Sequence, residues 1–182
     1  MTISRLLTGA RVRLTPLNGY DVTTLARWQF DNEYLRMLGA EPAMPRNEQQ
    51  VSDWMREGQR GRDNFLFGIR TLHDDNLIGF VELGEVLWPH RSSWLAIGIG
   101  EIDQRGQGYG SEALSLVLDF AFRELNLHRV QLTVFSYNTA AIGLYEKLGF
   151  TREGAYREFL ERDGQRHDML LYGILRREWA VR

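Results

Sequence analysis

The segment Arg105-Gly106-Gln107-Gly108-Tyr109-Gly110-Ser111 sets three glycines at alternate positions between an apolar stretch, Trp94 to Glu101, and an amphipathic stretch that starts at Ser111. Strand, glycine loop and helix in that order place bare backbone N–H groups at a helix N-terminus. Those unpaired donors and the helix dipole together attract an anion, typically a phosphate. Glycine suits such a cradle because a Cβ would block close approach of a ligand and oppose positive φ. The same residues would also make an ordinary glycine-rich turn.

Rival chemistries fit less well. Gly108-Tyr109-Gly110-Ser111-Glu112-Ala113 matches G-x-G-x-x-A, but a dinucleotide site also needs an acid at the end of the next strand to hold a ribose hydroxyl. That strand ends Phe135-Ser136-Tyr137-Asn138, without an acid. The triphosphate-binding pattern G-x-x-x-x-G-K-[ST] does not occur, nor does the G-x-S-x-G elbow of serine hydrolases. His73, His90, His128 and His167 are scattered without ligand spacing, so no metal is expected.

Bulk properties are those of an ordinary globular domain. The chain has 182 residues, 43% hydrophobic and 12% aromatic, a net charge of −2 and no cysteine. One domain spanning residues 1–182 is expected. The charge gives no basic field for nucleic acid. Without cysteine there is no disulfide, thiolate metal site or cysteine nucleophile. The longest apolar run, Leu114 to Phe122, is interrupted by Ser115 and Asp119 and is too short to span a bilayer. The N-terminal stretch has no apolar core long enough for a signal peptide. A cytoplasmic protein is expected.

The elements that must position the loop follow from periodicity. Ala10 to Leu17 alternates and reads as a strand ended near Pro16, and Asp21 to Phe30 reads as a helix with Asn18 or Asp21 as its cap. Asn32 to Asn47 is irregular, and Asn47 caps a second helix with Val51, Trp54 and Met55 on one face. Phe65–Thr71, Leu77–Leu87 and Trp94–Glu101 read as an antiparallel meander with short turns. Gly98 and Gly100 inside the third strand suggest a bulge, or something lying against the backbone. Ser111–Leu125 is an amphipathic helix, and Arg129–Phe135 a strand parallel to the Trp94 strand in a βαβ unit. Asn138 caps a helix over Thr139–Leu148. Arg152–Glu161 and Arg166–Leu175 form a hairpin through Asp163-Gly164.

Arg105-x-x-Gly108-x-Gly110 after a meander strand, followed by Asn138 and Leu144-Tyr145-x-Lys147-Leu148-Gly149-Phe150, resembles the GNAT superfamily of acyl-CoA N-acyltransferases. The likeness covers roughly residues 64–175. Leu77 to Leu83, Asn126-Leu127-His128-Arg129 and the final hairpin resemble the branch holding ribosomal-protein N-terminal acetyltransferases and spermidine/spermine acetyltransferases.

The resemblance implies an α/β (α+β) fold. A mixed, mostly antiparallel sheet has a V-shaped split at the bulged strand and about four flanking helices. It implies acetyl-CoA as cosubstrate, with Arg105, Gly106, Gln107, Gly108, Tyr109, Gly110 and Ser111 around the pyrophosphate. The pantetheine arm would lie in the split beside Ile99 and Gly100, within reach of Asn138. Tyr145 matches the family's general acid. A phenol near pKa 10 is a weak acid toward a thiolate near 8.5, so Tyr145 is expected to act mainly by hydrogen-bonding the leaving sulfur.

Places where many relatives carry a basic glutamate hold Trp94 and Thr133 here, which leaves Glu82, Glu85 and Glu101 as candidates. Glu82 and Glu85, three apart on one strand, are expected on opposite faces of the sheet. The acceptor pocket would include Trp28, Phe30, Tyr34 and Tyr156, aromatics that suit a hydrophobic core equally well, the preferred role for most of them. The implied acceptor is a primary amine attacking directly in a ternary complex. The preferred one is a peptide or protein N-terminal α-amine, which loses its proton at pH 7 far more cheaply than a polyamine nitrogen. A polyamine, an aminoglycoside and a non-catalytic acyl-CoA sensor are the alternatives. A homodimer is expected from the resemblance.

Overall fold

The computed structural model describes residues 6–180. Residues 1–5, part of the stretch read for a signal peptide, and residues 181–182 lie outside it. Its centre is a seven-stranded sheet in the order β1-β2-β3-β4-β5-β7-β6. The strands are β1 Val12–Thr15, β2 Phe65–Thr71, β3 Leu77–Leu87, β4 Ser92–Ile99, β5 Arg129–Phe135, β6 Thr151–Arg162 and β7 Gln165–Leu175. All neighbours are antiparallel except β4 and β5. That parallel ladder is short: Ser92, Ser93 and Trp94 face Arg129, Val130 and Gln131, and pairing stops there. From Leu95 onward β4 keeps β3 on one side and, among the described residues, has no strand on the other. The sheet therefore parts into the expected V.

Helices cover both faces. On one side lie α1 Val22–Trp28, α2 Asn32–Leu38 and α3 Glu48–Gly58. They close a small core of Leu17, Leu25, Trp28, Tyr34, Val51, Met55, Leu66 and Phe80. On the other lie α4 Tyr109–Asp119 and α5 Thr139–Lys147, over the larger core that includes Val81, Leu114, Val117, Leu118, Leu132 and Tyr145. The single turn α6 Arg176–Trp179 follows β7. Six helices thus replace the expected four among the described residues. The extra ones are α2, inside the stretch read as irregular, and α6.

Local chemistry explains most boundaries. Asn18 caps a 3-10 turn before α1, and Asn47 and Gln50 form a capping box at the start of α3. Asp31 caps α2 by accepting the Tyr34 N–H, a signal overlooked in the sequence because Pro42 and Pro45 dominate that stretch. α4 begins at Tyr109, two residues before the sequence expectation, because Gly108 at φ 86° is its N-cap. Its last turn, Phe120–Glu124, relaxes into a π-helix that sets the Phe120 ring edge-on to Phe65 and Phe67. The β6–β7 turn has Asp163 and Gly164 both at positive φ, as the two-residue hairpin loop requires.

Candidate active site

The loop from Arg105 to Ser111 is arranged as a donor cradle. Gly106 (φ 72°) and Gly108 (φ 86°) are left-handed. Among the described residues, the backbone N–H groups of Gly106 through Ser111 reach no acceptor, and the α4 ladder starts with Glu112 N–H to Gly108 O at 3.2 Å. These are the orphan donors of a helix start, widened by the glycine loop. Gly110 is different. A Cβ there would meet Leu144, Ile99 and Ile97 side chains only at 3.6–4.0 Å, so protein packing does not demand glycine. The free space and the free donors suit a bulky anion such as the pyrophosphate of CoA.

Arg11, just before β1, was missed by sequence reasoning because it is far away in the chain. Its Nη1 donates to Gln107 O at 3.0 Å, its Nε to Glu112 Oε2 at 3.2 Å, and its guanidinium lies 4.9 Å from the Tyr109 ring centre. Burial pushes the Glu112 carboxyl up. The N–H groups of Arg11 and Val12 and the Arg11 guanidinium outweigh this and hold it below its ordinary value. Glu112 stays ionised at the helix start, and Arg11 offsets its charge beside the cradle.

Arg105 points the other way. Its Nε donates to Ile99 O at 2.9 Å, and its Nη2 to Gly100 O at 3.0 Å and to Asp31 Oδ2 at 2.8 Å. The guanidinium therefore clamps the end of β4 to the start of α2 instead of facing the loop. At that end the N–H groups of Gly100 and Glu101 both donate to Ile78 O, at 2.9 and 3.2 Å, the doubled pairing of a bulge.

Gly98 and Gly100 have a packing reason of their own. A Cβ on Gly98 would stand 2.8 Å from the Tyr34 hydroxyl, and one on Gly100 1.9 Å from Trp28 Cδ2. The glycines admit side chains from α1 and α2 onto β4. Trp28 is 4% exposed, and its Nε1 donates to Glu101 Oε1 at 3.0 Å. Glu101 also pairs with Arg27 and faces a polar cavity of about 300 Å³ lined by Arg27, His73, Asp74 and Asp103. That cavity shares no lining residue with the one that holds Glu82 and Glu85.

α5 packs on the larger core that α4 also covers, with Leu144 close to Gly110. Asn138 caps it, with Oδ1 accepting the Ala141 N–H at 3.2 Å. Tyr145 is 7% exposed, with its ring 5.7 Å from Phe150. Burial pushes its phenol up to about 12. Among the described residues its hydroxyl meets no protein acceptor. Arg162 Nε is the one sealed side-chain polar atom without a partner among the described residues, so the Tyr145 hydroxyl is reached by solvent.

On the opposite face a cavity of about 420 Å³ opens where β4 leaves β5, lined by Trp54, Glu57, Asn64, Glu82, Glu85, Trp94 and Ala96 among others. Glu82 and Glu85 both line it, contrary to the expectation from strand alternation. The β3–β4 register shifts between Gly84 and Leu87, and Glu85 is left-handed at φ 51°, its N–H held by Asn64 Oδ1 at 2.9 Å. The bulge resets which side the chain presents. Glu82 stands opposite Ala96. Burial first, and the nearby Glu85 charge second, raise its pKa.

The hairpin closes over the end of α2. Arg162 Nη2 donates to Gly39 O, Ala40 O and Glu41 O at 3.1–3.2 Å, and Tyr137 Oη to Arg36 O at 2.7 Å. Phe30 is 77% exposed and Tyr156 53%, so neither is a buried wall of a pocket.

A split parallel pair beside a glycine donor loop agrees with a match to the acetyltransferase (GNAT) domain over residues 11–151. The chain belongs to the GNAT acetyltransferase family. It is an acetyl-CoA-dependent N-acetyltransferase by that membership. It is 30% identical over 174 residues to the SPbeta prophage-derived uncharacterized N-acetyltransferase YokL of Bacillus subtilis, covering 96% of this chain and 95% of that one. It is 28% identical to the putative ribosomal N-acetyltransferase YdaF of the same organism, over 92% of this chain and 86% of the other. Among solved structures, the spermidine N-acetyltransferase of Vibrio cholerae in complex with CoA and spermine superimposes with a TM-score of 0.85 at 25% identity, covering 94% and 99% of the two chains. Among the described residues, no helix of this GNAT protein is long and apolar enough to cross a membrane.

Proposed function

We propose that this N-acetyltransferase acetylates a cationic primary amine bound in the Glu57/Glu82/Glu85 cavity, with Glu82 as base and Tyr145 as hydrogen-bond donor to the leaving sulfur. The observation that carries the reading is the parting of β4 from β5 after Trp94. It has free loop donors at one end and a carboxylate-lined, indole-walled cavity at its apex.

When bound, acetyl-CoA supplies an activated acyl carbon in a thioester. The Gly106–Ser111 N–H groups would hold its pyrophosphate, and the unpaired edge of β4 beside Ile99 and Gly100 its pantetheine arm. Glu57, Glu82, Glu85 and the indoles of Trp54 and Trp94 attract and orient a protonated amine, through charge and cation–π contact. Such an amine, with a pKa near 10.4, costs about 4.6 kcal/mol to deprotonate at pH 7. A carboxylate raised by burial is a better proton acceptor than an ordinary one and reduces that cost.

The amine nitrogen then bonds to the acyl carbon and the carbon–sulfur bond breaks, its electron pair leaving on sulfur. Glu82 takes the ammonium proton before attack and passes it to solvent, and as a carboxylate again it accepts the second nitrogen proton when the amide forms. With its phenol at about 12, Tyr145 is a poor proton source for a thiol near 8.5, a gap of about 5 kcal/mol at 1.36 per unit. Tyr145 therefore stabilises the developing thiolate by donating a hydrogen bond, and solvent supplies the final proton.

The amine preference departs from the α-amine expectation. A free dipeptide brings its own carboxylate toward Glu57, Glu82 and Glu85, whereas a di- or polyamine brings a second cation. Thiol release measured across spermidine, aminoglycosides and dipeptides tests this. Polyamines are expected to give the highest kcat/KM, and release with dipeptides alone would return the reading to an N-terminal α-amine. A cytoplasmic enzyme acting as a homodimer completes the proposal.

A further inference from the structure

Tyr34 is held more firmly than packing alone requires. It is 5% exposed, and its ring lies edge-on to Trp28 at 6.3 Å, with the Arg105 guanidinium 5.4 Å from its centre. Its backbone N–H donates to Asp31 Oδ1, and Asp31 Oδ2 pairs with Arg105, which is in turn bonded to Ile99 O and Gly100 O. The ring is thereby fixed relative to the end of β4.

The hydroxyl caps the backbone of Gly98, 2.8 Å from where a Cβ would stand. Gly98 belongs to the part of β4 that has left β5. Among the described residues the hydroxyl meets no protein acceptor. It is also not sealed, since Arg162 Nε is the one sealed unpartnered side-chain atom among the described residues. A polar group this deep without a partner is costly unless something else supplies one. Gly98, which the hydroxyl covers together with Leu38 and Phe80, lies where β4 has parted from β5, so the split is the opening beside it.

We propose that the Tyr34 hydroxyl donates a hydrogen bond to the acyl carbonyl oxygen in the split, from the face of the sheet opposite Tyr145. This rests on the reading of the split given under Proposed function. As the amine nitrogen bonds to the acyl carbon, the carbonyl π pair moves onto oxygen. It returns as the carbon–sulfur bond breaks, with the sulfur keeping that bond's pair and the nitrogen's proton going to Glu82. Tyr34 keeps its own proton throughout, and burial, which raises its pKa, ensures that it does. A donor fixed before the reaction and aimed where charge develops is the arrangement that lowers such a barrier. Arg105 and Asp31 act through Tyr34 as positioning residues.

The test is Tyr34→Phe, which keeps the ring and its packing. Two readouts are used: steady-state kinetics, and the infrared carbonyl stretch of a bound ketone isostere of acetyl-CoA in which methylene replaces sulfur. We expect kcat to fall by about 10- to 100-fold, with both KM values within about twofold. The bound carbonyl stretch should move to higher wavenumber than in the wild type, and Asp31→Asn should move it the same way by less. Turnover within about twofold of wild type, an unchanged stretch, or a change confined to the KM for amine each overturns the assignment. A wild-type protein that binds the isostere but acetylates no amine would instead overturn the functional reading, and the infrared comparison would still decide the role of Tyr34.

Discussion

On the face of the sheet covered by α4 and α5, the groups left free are backbone ones: the N–H row from Gly106 to Ser111 and, among the described residues, the unpaired edge of β4. On the face covered by α1, α2 and α3 they are side chains: Glu82, Glu85, Trp54 and Trp94 line one cavity, and Tyr34 covers Gly98. The cofactor recurs unchanged in such enzymes, and main-chain donors suit a fixed phosphate. The acceptor varies, and side chains can be exchanged without disturbing the sheet. Arg105 joins the two faces, since it leaves the loop to brace α2.

The comparison can be broken at four points. Tyr145→Phe removes the donor to sulfur and should lower kcat by about a hundredfold, with the KM for acetyl-CoA little changed. An unchanged kcat at saturating acetyl-CoA would take Tyr145 out of the reaction.

Gly100→Ala tests whether this glycine serves packing instead of ligand approach. Its Cβ would fall 1.9 Å from the Trp28 ring, so the variant should lose about 2 kcal/mol of stability by urea unfolding. Wild-type stability with impaired acetyl-CoA binding would reverse that account.

Glu82→Gln should lower turnover by about tenfold and flatten the acid side of the kcat/KM profile, because the base must be unprotonated to work. Its effect on stability has the opposite sign. Glu82 has a raised pKa in the fold, so between the ordinary and the raised value the folded state holds more proton than the unfolded chain, and stability falls as pH rises. The glutamine variant should therefore melt higher than wild type at neutral pH. A lower melting temperature would mean that Glu82 is held by favourable contacts.

Glu112→Gln should cost about 1 kcal/mol at pH 7. The folded pKa of Glu112 is lowered, so its contribution is complete above the ordinary carboxylate value and fades as pH falls through the folded one. The gap between variant and wild type in thermal melts should close in acid. A gap independent of pH would remove the charge from the explanation.

The elements most easily read in the chain were those set by local signals. Phe65–Thr71, Leu77–Leu87 and Arg129–Phe135 have the same bounds in the fold as in the periodicity. Asn47 and Asn138 cap the helices expected of them. α2 was overlooked because its cap Asp31 competes as a signal with Pro42 and Pro45 in the same stretch. Glu82 and Glu85 were assigned to opposite faces because alternation assumes an unbroken strand. Arg11, brought to the loop from the other end of the domain, leaves no local trace.

The meander strands, the glycine loop, the Asn47 and Asn138 caps and the hairpin turn were fixed by the sequence alone, because each depends on backbone conformations and hydrogen bonds among residues close together in the chain. Only the tertiary structure decided that the glycines of β4 serve Tyr34 and Trp28, and that Arg105 faces α2 instead of the loop. It also decided that a left-handed Glu85 joins Glu82 in one cavity. Those facts depend on side chains packed across distant segments, where a difference of one residue in register changes which groups meet.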